Sequence, residues 1–168
     1  MAWTESGLYA ATLKGLLGGT VTGSNWLATS AAKIFLTGSA DTPNYLNATP
    51  TGGSGGGEDT GEVYGTGWAQ YGVTVSTAAA GSTSLAPALA TGASPDTADM
   101  TWSATNLSVA STTISTGAYG AKWYLTGTTP ANYCIIGIWF GGNPYTTSAG
   151  TFAITWNAAG IAYIRCAT

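Results

Sequence analysis

Two cysteines, seven carboxylates and no histidine bound the chemistry open to this chain. The cysteines are Cys134 and Cys166. A nucleophilic thiol needs a base and a lowered pKa. Without histidine, and with no Lys or Arg near Cys134 in the sequence, neither is at hand. Two thiols without an imidazole also fall short of a structural zinc set. A disulfide between them is open, since both lie in strand-like segments, but the reading taken is two buried free thiols acting as small hydrophobes. The acids are Glu5, Asp41, Glu58, Asp59, Glu62, Asp96 and Asp99. None sits inside a strand between apolar residues, where a raised pKa and general acid work would be expected. Glu58, Asp59 and Glu62 lack the turn pattern of a calcium loop and read as solvated. The expectation is a protein that is not an enzyme, with no cofactor and no metal.

Aromatic residues offer a different chemistry. Seven Trp and nine Tyr among 168 residues supply surfaces for stacking on sugars or filling protein pockets. Trp123, Trp139 and Trp156 lie in strand patterns and read as core. Trp3, Tyr45 with its neighbour Leu46, Tyr64 and Tyr145 lie outside strands or beside glycines, and are the candidate residues for contact with a partner.

Charge narrows the partner. Charged residues make up 7% of the chain, against ~25% in ordinary soluble domains. Lys14, Lys33, Lys122 and Arg165 form no basic run, which argues against nucleic acid. No apolar run reaches the ~18 residues of a membrane helix, and the first ten residues lack the basic and apolar regions of a secretion signal. A polar surface with few charges hydrates less strongly and is more easily covered.

The elements that position these residues follow from hydrophobic period. Residues 4–17 place Tyr9, Leu13, Leu16 and Leu17 on one helical face, with Thr4 or Ser6 as cap and Gly18-Gly19 as stop. Thereafter the period is two. Strands are expected at 31–37, 68–76, 100–109 (with a defect near Thr105-Asn106), 119–125, 151–156 and 161–166, the last two joined as a hairpin through 157–160. The segment "CIIGIWFGGN" at 134–143 opens with a strand that is apolar on both faces. Ile136, Ile138 and Phe140 point one way, Ile135 and Trp139 the other, so it is a doubly covered central strand. Turns are expected at 126–132 and 141–150. Residues 51–62 and 77–97 are rich in Gly, Ala, Ser and Pro and read as long flexible loops. The whole of 1–168 is one all-β domain, a β-sandwich or jelly-roll-like fold of about eight strands with a short N-terminal helix.

The order of segments resembles a family of small tailed-phage virion proteins, described as tail fibre proteins or as minor capsid and head decoration proteins. The resemblance runs over most of residues 5–165. It is carried by "KIFLTGSADTPN" (33–44), the Gly67-Trp68-Ala69 step in "GTGWAQYGVTV" (65–75) and "YLTGTTPANYCIIGIWFGGNP" (124–144). Gln70 stands where the family often has a basic residue. The resemblance implies a structural virion component made in the host cytoplasm and placed on the capsid surface. The major capsid protein would be its partner, and the local threefold or sixfold axes of shell joints make a homo-oligomer, a trimer first, the expected form. The alternative it leaves is a tail-tip or tail-fibre module that binds host-surface glycan. Residues 1–4 and the loops 38–62 and 77–99 are expected to make the shell contacts.

Overall fold

The computed structural model describes residues 5–22, 32–74, 87–91, 97–102, 106–129, 131–156 and 162–167; for 87–91, 97–102 and 162–167 it describes the course of the backbone. The elements are β1 (Gly7–Leu8), α1 (Ala10–Leu17), β2 (Ala32–Thr37), β3 (Glu62–Val63), β4 (Val73–Thr74), β5 (Pro87–Thr91), β6 (Thr97–Trp102), β7 (Leu107–Ala118), β8 (Gly120–Leu125), β9 (Cys134–Trp139), β10 (Tyr145–Ile154) and β11 (Ala162–Ala167). The protein is all-β, with one short helix among the described residues. Three of the described strands have two residues, and the other eight have five or more.

The central sheet has the order β1-β9-β8-β2-β3, with β4 also on β2. All its pairs are antiparallel. The long strands β7 and β10 form a two-stranded ribbon, and β5, β6 and β11 a three-stranded sheet. The ribbon packs on one face of the central sheet. Ala32, Ile34 and Leu36 of β2 and Ala121, Trp123 and Leu125 of β8 meet Leu107, Ile114, Phe152 and Ile154 of the ribbon in one buried cluster. The period of two on β2 and β8 sends these residues to one side and Phe35, Lys122 and Tyr124 to the other.

On β9 both faces are covered at Cys134–Ile136, but Ile135 does not face away from Ile136 as the alternation predicts. Trp123 is opposite Ile136 and Tyr124 is opposite Cys134, so Ile135 is the extra residue of a bulge. The bulge lets Ile135 and Ile136 both join the ribbon-side core, while Cys134 joins Tyr9, Phe35 and Tyr124 on the opposite face.

Trp68 shows why glycines flank it. Its ring is fully buried and meets Phe152 edge-on at 5.2 Å. To seat it, the backbone at Gly65 passes so close to β7 that a Cβ there would lie 2.0 Å from the carbonyl oxygen of Thr113. Only glycine fits such an approach.

Several expected elements differ. The helix begins at Ala10 rather than at residue 4, because Gly7 and Leu8 pair with Gly137 and Ile136 instead. Ser6 is no helix cap: its Oγ accepts the backbone N–H of Trp139. Thr4 lies outside the described residues, and Leu17, expected on the buried face, is 84% exposed. The alternation at 68–76 is not one strand. Tyr71 and Gly72 adopt positive φ (63° and 83°), which confines β4 to Val73–Thr74; residues 75 and 76 lie outside the description. The expected strand at 100–109 is divided between β6 and β7, and β7 continues through the Ser/Thr-rich 110–118. The expected turn at 141–150 is half strand, since β10 starts at Tyr145. β10 pairs with β7 and β11 with β6, so the 151–156 and 161–166 segments are not partners in the described pairing; residues 157–160 lie outside the description. Within the expected loop 77–97, Pro87–Thr91 is a strand on β6.

Candidate functional site

The face of the central sheet opposite the ribbon carries Phe35 and Thr37 from β2, Lys122 and Tyr124 from β8, and Cys134 from β9. Phe35 lies directly across from Lys122. Tyr9, at the head of α1, is tied to β9 by its N–H to the carbonyl of Ile135 at 2.9 Å. The segment that follows β2 then lays Asp41, Tyr45, Asn47 and Glu58 over this face. Its backbone is pinned along the way: Ala10 N–H donates to Tyr45 O at 2.9 Å, Gly52 N–H to Asn132 O at 2.8 Å, and Cys134 N–H to Pro50 O at 2.7 Å.

At the centre of this cover is a buried charge cluster. Lys122 Nζ donates to Asp41 Oδ1 at 2.8 Å, to Glu58 Oε2 at 3.1 Å and to the Glu58 carbonyl at 2.8 Å. Its three ammonium protons therefore each have an acceptor. Glu58 Oε2 also accepts the Tyr9 hydroxyl at 2.7 Å, and Oε1 accepts Asn47 Nδ2 at 2.6 Å. Relative exposure is 1% for Lys122 and 5% for Asp41 and Glu58. Asp41 Oδ2 and the nearby Thr37 Oγ1 are buried without a hydrogen-bond partner.

Two carboxylates facing one ammonium leave an excess negative charge in a dry place, which is costly. The strain shows on Asp41. Burial raises its carboxyl above the usual range, Lys122 opposes that shift, and Glu58 adds to it. Burial also drives the Tyr9 phenol far upward, so it stays a hydrogen-bond donor. Burial pushes the Cys134 thiol upward as well, opposite to what a nucleophile needs. Cys134 is a free, fully buried thiol; the side chain of Cys166 lies outside the description. Among the described residues no group of three His, Cys, Asp or Glu is placed to hold a metal.

Asp41 and Glu58 lie outside the strands, as expected, yet both are buried, and burial raises the Asp41 carboxyl all the same. Glu58 was read as solvated in a flexible loop; it is buried because Tyr9, Asn47 and Lys122 supply the hydrogen bonds that water would have given. Glu62 is half-buried, accepts the N–H of Tyr71, and is pushed up to about 7 by desolvation. A signal for the cluster does exist in the sequence. Lys122 is the only charged residue between 100 and 164, and it stands mid-strand between Ala121 and Trp123.

Among the described candidate contact residues, Tyr45 belongs to the covered face and Tyr145 to the ribbon. Trp3 lies outside the described residues. Tyr45 is half-buried: it meets Tyr9 edge-on at 5.3 Å, and its hydroxyl donates to the Glu5 carbonyl at 2.8 Å. It packs against the cluster of Tyr9, Phe35, Tyr124 and Cys134. Leu46 is 83% exposed. Tyr64 and Tyr145 are also exposed. Tyr145 opens a groove of about 490 Å³ lined by Phe140, Thr147, Thr151, Phe152 and Ile154 among others. Its ring stands edge-on to Phe140 at 5.7 Å. No protein-family model matches the chain, and neither a curated protein nor a solved structure matches it.

Proposed function

We propose that this chain is a structural protein of a tailed-phage virion that decorates and cements the outer face of the capsid shell, with the major capsid protein as partner. One observation carries the reading. From residue 100 to 164 the single charged residue is Lys122, and that residue is buried. The ribbon of β7 and β10 therefore presents Ser, Thr and Ala to the outside without a formal charge. Covering such a surface strips no ions of their water, so contact with a shell or with sister subunits costs little desolvation. A protein that binds the assembled shell and not its free subunits stabilises the shell by linkage, in proportion to the sites filled. Shell joints carry local rotational symmetry, which favours a ring, a trimer first. The test is to purify particles of the phage that encodes the chain and count copies by imaging and quantitative mass spectrometry. A copy number on the scale of the shell's capsomers is expected; absence from washed particles overturns the proposal.

The groove beside Tyr145 favours a second reading, a tail-tip or tail-fibre module that binds host-surface glycan. Aromatic rings with threonine hydroxyls and no charge along the lining suit a neutral sugar. A handful of copies per particle, located at the tail, would select this reading over the first.

A further inference from the structure

The cluster on the covered face brings together the components of a covalent cross-link. A primary amine, Lys122 Nζ, lies 2.8 Å from a carboxyl oxygen of Asp41, and a second carboxylate, Glu58 Oε2, lies 3.1 Å from the same nitrogen. All three side chains are almost wholly buried. We propose that Lys122 and Asp41 condense to an intramolecular amide, with Glu58 as the proton carrier.

The proton inventory allows it. An ammonium cannot attack; a free amine can. In water the ion pair Lys–NH3⁺ and Asp–COO⁻ is strongly favoured over amine and acid. In a dry site the neutral pair gains, because moving one proton along the 2.8 Å hydrogen bond from Nζ to Asp41 removes two buried charges at once. The upward shift of the Asp41 carboxyl by burial works in the same direction. The Nζ lone pair then attacks Asp41 Cγ, and the new C–N bond forms as the carbonyl π pair moves onto oxygen. Glu58 takes one proton from the nitrogen and delivers it to the Asp41 hydroxyl. The C–O bond breaks, the carbonyl re-forms, and one water leaves. The products are a neutral amide and a Glu58 carboxylate in its starting state. No oxidant, cofactor or outside reactant enters.

The surroundings fit this step in two further ways. Tyr9 and Asn47 hold Glu58 by both carboxylate oxygens, so the proton carrier is fixed beside the nitrogen rather than mobile. Condensation removes one of the two buried Asp41 oxygens and leaves an amide N–H that Glu58 can accept. The bond would join positions 81 residues apart in sequence and clamp the segment after β2 to β8. It stands apart from the virion reading: it depends on the local cluster alone, whatever the protein binds.

Intact mass under denaturing conditions decides it. The purified, folded wild-type chain, incubated at neutral pH, should weigh one water less than its sequence requires, after any loss of Met1 is counted. Proteolysis should yield a branched peptide that joins Lys122 to Asp41. Glu58→Gln keeps the shape of the side chain but gives up one acceptor and cannot shuttle the proton, so it should return to the full mass; Asp41→Ala should do the same. A folded wild-type protein at full sequence mass overturns the proposal, as does a water deficit that survives Asp41→Ala. If the variants fail to fold, the wild-type mass and its branched peptide still decide.

Discussion

The two faces of the central sheet are buried by different means. The ribbon face is closed by side chains of one kind: aliphatic and aromatic residues of β2, β8 and β9 against those of β7 and β10. The opposite face is closed by a largely irregular segment, residues 38–61, which brings an ion cluster with it. Apolar closure is tolerant, because a methylene more or less changes the packing by degrees. Ionic closure is not tolerant, because each charge relies on a particular partner in a particular place. The same sheet thus has one face that resists substitution by bulk and one that depends on three residues far apart in the chain.

The largest expected effect falls on the ionic face. Lys122→Ala removes the cation that Asp41 and Glu58 share among the described residues and should cost about 3–5 kcal/mol in denaturant unfolding. A loss below about 1 kcal/mol would mean the two acids are reached by water and the faces are alike. On the apolar face, Ile114→Ala empties a fully buried site in the ribbon and should cost about 2–5 kcal/mol, depending on how far the cluster collapses. A near-neutral result would detach the ribbon from the sheet.

The smallest effect is one of pH. Glu62 in the folded chain titrates near 7, against an ordinary 4.5. The folded form therefore holds its proton more tightly than the unfolded form. Its contribution is fully present below about 4.5 and is lost as pH rises toward 7. Stability should decline across that interval, and Glu62→Gln should flatten the decline. Asp41 is shifted in the same direction and adds to the slope wherever its carboxyl is free to titrate. Thermal unfolding of the two proteins across this pH range checks the sign, and a wild-type stability that rises through the interval would refute it.

The same contrast explains what the sequence made legible. The ribbon face was readable because β2, β8 and β9 carry their own period: Ala121, Trp123 and Leu125 alternate, and the apolar run from Ile135 to Trp139 declares a strand covered twice. The partner ribbon was not, because β7 outside its first three residues is Ser, Thr, Ala and Gly with a lone Ile114, a composition shared with loops. Its place is fixed by pairing with β10, a non-local contact that leaves no local trace. The cluster was missed for a related reason. Asp41 and Glu58 sit in irregular backbone, where sequence pattern says nothing of burial. Only their contacts with Tyr9, Asn47 and Lys122, 11 to 81 residues away, take them out of water. The apparent strand at 68–76 failed in the other direction, since alternation alone does not reveal positive φ at Tyr71 and Gly72.

Among the described residues the chain buries Lys122, Asp41 and Glu58 together and leaves the ribbon of β7 and β10 without a formal charge. Amine acylation of the native protein, read by peptide mass spectrometry, tests that burial most directly. Lys14 is exposed and Lys33 half-exposed, whereas Lys122 is 1% exposed and surrounded by acceptors. The account predicts that Lys14 and Lys33 are modified while Lys122 stays unmodified in the native protein. Modification of Lys122 in the native protein at the rate of Lys14 would contradict it.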